Sequence, residues 1–208
     1  MIDVKNADYG SSCQLPDYPI DMYYGAGGMI NGNKIMVCGG YDGTRKLGEC
    51  YTLGPDKIWN KSQTLKTPRK TMSTGNIVIN GKLWISGGGG VESRLASTEL
   101  VTEQSVIQSS DLPFAVFGHC SVFLDRTRIM TIGGFKGSNS DETHIMDTTT
   151  NKWTPGPKLN KARYYHGCAK VKVGDNQFLV VTGGHPAYTS VEYLDITNMD
   201  LGWKNGKV

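Results

Sequence analysis

Ile129-Met130-Thr131-Ile132-Gly133-Gly134 is a compact apolar run ending on a glycine doublet, and Trp153 follows nineteen residues after the second glycine. The arrangement recurs. Gly39-Gly40, Gly87-Gly88, Gly133-Gly134 and Gly183-Gly184 are spaced by 48, 46 and 50 residues, the signature of a repeat architecture. Tryptophan keeps step, with Trp59, Trp153 and Trp203 each nineteen residues beyond the second glycine of a doublet. After Gly87-Gly88 the same place is held by Ile107, expected to plug the site with less area.

Outward from each doublet the unit reads as four short strands. The runs Ile35 to Cys38, Leu83 to Ile85, Ile129 to Ile132 and Phe178 to Val181 are continuously apolar, as a strand covered on both faces requires. Upstream lie strand-like runs at Ile77 to Ile79, Ser121 to Leu124 and Ala169 to Val173. Short polar turns join the two, among them Asn31-Gly32-Asn33 and Asn80-Gly81, and Asn-Gly between apolar runs is a strong hairpin signal. Third strands are expected at Cys50 to Leu53, Thr98 to Val101, His144 to Asp147 and Val191 to Asp195, and a fourth begins at each tryptophan. No segment holds a helical period of ordinary length.

A four-stranded meander with a double glycine and a tryptophan, repeated at nearly 50 residues, resembles the blades of kelch-repeat β-propellers. Leu65 with Arg69 and Leu159 with Arg163 extend the resemblance, as do His119 and His166 at the head of the next inner strand; Val116 replaces the arginine once. The fold class this implies is all-β, a single propeller domain over residues 1–208 with repeats at about 21–67, 68–114, 115–161 and 162–208. Ile2 to Val4 and Tyr9 to Leu15 read as a half-blade over 1–20. Family propellers close with more blades, so an incomplete or open ring is expected. Glycines and tryptophans in this reading hold the fold and are poor candidates for chemistry.

Composition removes other classes. Glycine is 27 of 208 residues, in doublets without a G-X-Y period, which excludes collagen. The 22 basic and 19 acidic residues are interleaved, so the net charge of +3 gives no basic stripe for nucleic acid. Apolar stretches such as Phe178 to Val181 are far below the about 18 residues of a membrane span. Residues Met1 to Asp8 contain no apolar signal core, which makes cytoplasm the default expectation and an extracellular location the alternative. Five cysteines without a CxxC pair fit free thiols in that default. The alternative resembles extracellular multi-cysteine kelch proteins and predicts a Cys38 to Cys50 disulfide and a glycan at Asn60.

Strand direction reverses at each turn, so the loops between second and third strands share a face with the connections between blades. That face is the expected binding surface for a protein partner. Its candidate contact residues are Tyr41, Arg45, Arg94, Phe117, Phe135, Tyr164, Tyr165, His185 and Tyr188, a mixture of aromatics and arginine of the kind enriched at interfaces. No catalytic residue, metal site or cofactor is assigned. The glycine-rich stretches lack GK[ST], two histidines are too few for a metal, and no nucleophile motif occurs. Two interaction roles follow from the resemblance: an intracellular adaptor like the kelch portion of cullin substrate receptors, or a secreted recognition protein. Kelch-type oxidases and sugar epimerases give a third, enzymatic alternative, which no residue here matches.

Overall fold

The computed structural model describes residues 15–75, 77–90 and 93–206. The strands of the expected half-blade at Ile2 to Val4 and Tyr9 to Leu15 fall outside the described residues except for Leu15, and residues 15–20 hold no strand.

Four four-stranded antiparallel sheets follow one another along the chain. Blade 1 is β1 (Ala26–Ile30), β2 (Lys34–Tyr41), β3 (Lys46–Leu53) and β4 (Trp59–Thr64). Blade 2 is β5 (Ile77–Ile79), β6 (Lys82–Ser86), β7 (Thr98–Val101) and β8 (Val106–Ser109). Blade 3 is β9 (Cys120–Phe123), β10 (Arg128–Ile132), β11 (Thr143–Asp147) and β12 (Lys152–Pro155). Blade 4 is β13 (Gly167–Val173), β14 (Asn176–Thr182), β15 (Val191–Asp195) and β16 (Lys204–Asn205). Each sheet is a simple meander in sequence order, and the four do not close into a ring.

The core lies in three seams between blades. Ile30, Met36 and Cys38 of blade 1 pack with Leu83, Ile85 and Val101 of blade 2. Ile77 and Trp84 of blade 2 pack with Ile129 and Met146 of blade 3, and Met130 and Ile132 of blade 3 with Leu179 and Leu194 of blade 4. Blades 2 and 3 are covered on both faces in this way, which explains the unbroken apolar runs of β6 and β10; β2 and β14 have a seam on one face, and Ile35 is 38% exposed.

The glycine doublets face the following connection. Gly40 N–H donates to Arg69 O at 2.9 Å, Gly88 N–H to Val116 O at 2.8 Å and Gly134 N–H to Arg163 O at 2.8 Å. At Gly88, φ is +100° and a β-carbon would stand 2.7 Å from Lys70 O, so no other residue fits without displacing backbone.

A second set of bonds runs along the hub. Thr71 N–H donates to Tyr24 O, Gly118 N–H to Thr71 O and Tyr165 N–H to Gly118 O, at 3.2, 3.0 and 2.7 Å. These four residues are each 47 apart, and all take the left-handed conformation, with φ of 64°, 52°, 61° and 56°.

Tryptophan reaches back onto the preceding connection. Trp203 is 5% exposed and its indole N–H donates to Pro157 O at 2.9 Å, while Trp59 does the same to Pro16 O at 3.1 Å. The expectation for Ile107 is corrected. It is 46% exposed, and its neighbour Val106 packs against the seam instead. The one-residue difference puts the two on opposite faces of β8.

The free-thiol expectation is also corrected. Cys38 and Cys50, directly opposite across β2 and β3, form a disulfide. Cys120 and Cys168 form another, joining the inner strands of blades 3 and 4 across 48 residues of sequence. Cys13 lies outside the described residues.

Candidate interaction face

Each connection meets its own blade through a two-way backbone bridge just past the doublet: Tyr23 with Tyr41, Lys70 with Gly89, Phe117 with Phe135 and Tyr164 with His185. The bridge sets one residue from the connection beside one from the loop between second and third strands. Wherever both are aromatic, rings are forced together.

The result is a continuous network. Ring centroids are 5.4 Å apart for Tyr41 and Tyr23, 4.9 Å for Tyr23 and Tyr24, and 6.2 Å for the stacked pair Tyr24 and Tyr165. It continues through Tyr165 to Tyr164 at 4.7 Å and Phe117 at 5.9 Å, and through Phe117 to Phe135 at 5.2 Å. Tyr164 packs on His185 at 5.3 Å, and His185 on Tyr188 at 5.4 Å. The rings are in contact yet open to solvent: Tyr24 is 51%, Tyr165 43% and Tyr188 69% exposed. Edge and offset contacts of this kind hold side chains in place and lower the entropy a partner has to remove.

Of the sequence candidates, the structure thus places Tyr41, Phe117, Phe135, Tyr164, Tyr165, His185 and Tyr188 in this network. Arg94 joins its edge, with its guanidinium carbon 5.9 Å from the Phe135 ring. Arg45 does not. It turns to Glu49 at 2.8 Å and Asp42 at 3.6 Å and is neutralised there. The Arg45 and Thr44 N–H groups and the Thr44 hydroxyl hold the Asp42 carboxyl down at about 2.

Two members were missed from sequence, Tyr23 and Tyr24. A signal existed, since Tyr24 precedes Thr71, Gly118 and Tyr165 by steps of 47 residues, and Tyr23 stands one place before it as Tyr164 stands before Tyr165.

Behind the network lie His119 and His166, each 1% exposed. Ser86 Oγ is 3.0 Å from His119 Nε2. Burial pushes His119 down to about 4, and burial with the Arg163 charge and His119 pushes His166 down to about 3. Among the described residues no group of three His, Cys, Asp or Glu side chains is placed to hold a metal ion.

The family model described as Kelch motif matches residues 117–160. The match begins at Phe117, one residue before the hub residue Gly118, takes in all of blade 3 with Gly133-Gly134 and Trp153, and ends one residue after Leu159. No curated protein matches the chain. No helix among the described residues is long and apolar enough to cross a membrane. Kelch repeats are generally non-catalytic interaction modules, and blade 3 carries that motif. The other three four-stranded meanders repeat its glycine doublet and are consistent with kelch-type blades.

Proposed function

We propose that the chain is a non-catalytic module that binds a protein partner through the face formed by its inter-blade connections and the loops between second and third strands. The single observation that carries this reading is the aromatic network: rings beside blades 1, 3 and 4 touch one another in one chain, and Tyr23, Tyr24, Tyr165 and Tyr188 among them remain open to water. Tyrosine on a fixed scaffold supplies large contact area at low entropic cost, as interface hot spots require. The test compares two faces. Tyr165→Ala with Tyr188→Ala alters the aromatic face, and Lys172→Ser with Val173→Ser alters the hairpin tip of blade 4 on the other. A partner lost by the first pair and kept by the second supports the assignment; the reverse pattern removes it.

The two disulfides favour a secreted or cell-surface setting for this binding, because reducing compartments keep thiols open. Thiol titration of denatured protein from its native source decides this. Four open thiols at Cys38, Cys50, Cys120 and Cys168 would place the module in a reducing compartment instead.

A further inference from the structure

We propose that the Cys120–Cys168 disulfide is a thiol-exchange site, opened by a low-molecular-weight thiol that attacks Cys168 from a groove among the inner strands, while the Cys38–Cys50 disulfide stays closed. The two bonds differ in access. Cys38 and Cys50 are each 0% exposed inside the seam between blades 1 and 2. Cys168 is partly open to water, whereas its partner Cys120 is 1% exposed.

The groove has a volume of about 1040 Å³. Its lining includes Cys168 and Lys170 from β13, Ser121 and Val122 from β9, and Ile77 and Val78 from β5. Cys168 and Lys170, two residues apart, share one face of their strand, and Lys170 is itself exposed. Pockets for small organic ligands run to about 300–1,000 Å³, so a tripeptide thiol has room to enter.

Exchange then runs from one side. A thiolate attacks Cys168 Sγ, a new sulfur–sulfur bond forms there, and the electron pair of the old bond leaves on Cys120. Cys120 takes up the proton that the incoming thiol gave up. A second small thiol attacks the first one's sulfur in the mixed disulfide and releases Cys168 as a thiol. In sum two small thiols become one small disulfide, and two electrons and two protons pass to the protein.

The other ties between blades 3 and 4 are untouched by this reaction. Met130 and Ile132 pack on Leu179 and Leu194, and Tyr165 N–H donates to Gly118 O at 2.7 Å. Attack on Cys38–Cys50 first needs part of its seam to open, so the order of opening is kinetic and set by access.

The test uses the whole chain with Cys13→Ser, so that the fifth cysteine takes no part. Folded protein is held in reduced glutathione, quenched with acid at intervals, alkylated and mapped by mass spectrometry. Thiols at Cys120 and Cys168 are expected at least about tenfold sooner than those at Cys38 and Cys50, with the trapped glutathione adduct on Cys168. Two single variants sharpen the reading. With oxidised glutathione, Cys120→Ser is expected to take up the adduct on Cys168 while folded, and Cys168→Ser to take it up on Cys120 only in denaturant. Equal rates for the two bonds, earlier loss of Cys38–Cys50, no opening in the folded protein, or an adduct mainly on Cys120 overturns the proposal. If a single variant loses its near-ultraviolet circular dichroism, the time course of the parent decides alone.

Discussion

Arg163 donates to Glu192 at 2.6 Å with both side chains fully excluded from water, and Arg69 repeats the arrangement with Glu99 at 2.5 Å. Each arginine also donates to backbone carbonyls, Arg163 to Gly183 and Ser190, Arg69 to Gly87 and Ser97. The glutamates in turn accept N–H groups of the connection, Glu192 from Asn160 and Lys161, Glu99 from Lys66 and Thr67. One pair therefore ties connection, doublet and third strand together. Blade 3 has neither partner: Val116 stands where the arginine would be and His144 where the glutamate would be.

Removing one partner strands a buried charge. Glu192→Gln is expected to cost about 3–5 kcal/mol of unfolding free energy. Replacing both partners, as Arg163→Val with Glu192→His after the pattern of blade 3, is expected to cost less than Glu192→Gln alone. Urea unfolding of the three proteins checks the order. A double variant weaker than Glu192→Gln would show that the backbone bonds of the arginine, and not the charge pairing, hold the seam.

The two disulfides close loops of different length. Cys120 and Cys168 are 48 residues apart and Cys38 and Cys50 only 12. On chain-entropy grounds opening the first costs about 4 kcal/mol and the second about 3 kcal/mol. Thermal unfolding of Cys168→Ser and Cys50→Ser is expected to show the larger loss for Cys168→Ser. The difference grows if blades 3 and 4 also separate, since that disulfide alone crosses a seam.

His119 and His166 set an acid limit. Their folded-state values of about 4 and about 3 lie below the ordinary 6.5, so below pH 6.5 the unfolded chain binds protons that the folded chain refuses. Their contribution is whole above pH 6.5, falls as pH drops toward about 4 and levels off below the folded values. His119→Gln is expected to flatten this slope. Chemical unfolding between pH 4 and 7 measures it, and an unchanged slope would mean that carboxylates dominate.

The strands were legible because their determinants are local. An apolar run before Gly133-Gly134 and an Asn-Gly turn at Asn80-Gly81 each act within a few residues. Features joining distant parts were harder. Glu99 looks like an ordinary strand glutamate until Arg69 is folded beside it, and the Cys120 to Cys168 bond needs two inner strands side by side. Its spacing of 48 is one repeat, so equivalent positions in neighbouring blades were the available clue. Arg45 stands apart from the aromatic network because Asp42 and Glu49, three and four residues away, pair with it.

The hub residues keep steps of 47 while the doublets drift between 46 and 50. The slack is taken up before the doublet, in the hairpins that point the other way, such as Val173-Gly174-Asp175, where a side chain added at Gly174 meets nothing within 4 Å. The hairpins thus vary in length while the spacing of the hub residues stays fixed. A dye, tether or grafted peptide spliced into that outer hairpin is expected to leave the aromatic face undisturbed, a built-in handle for immobilising the molecule with that face outward.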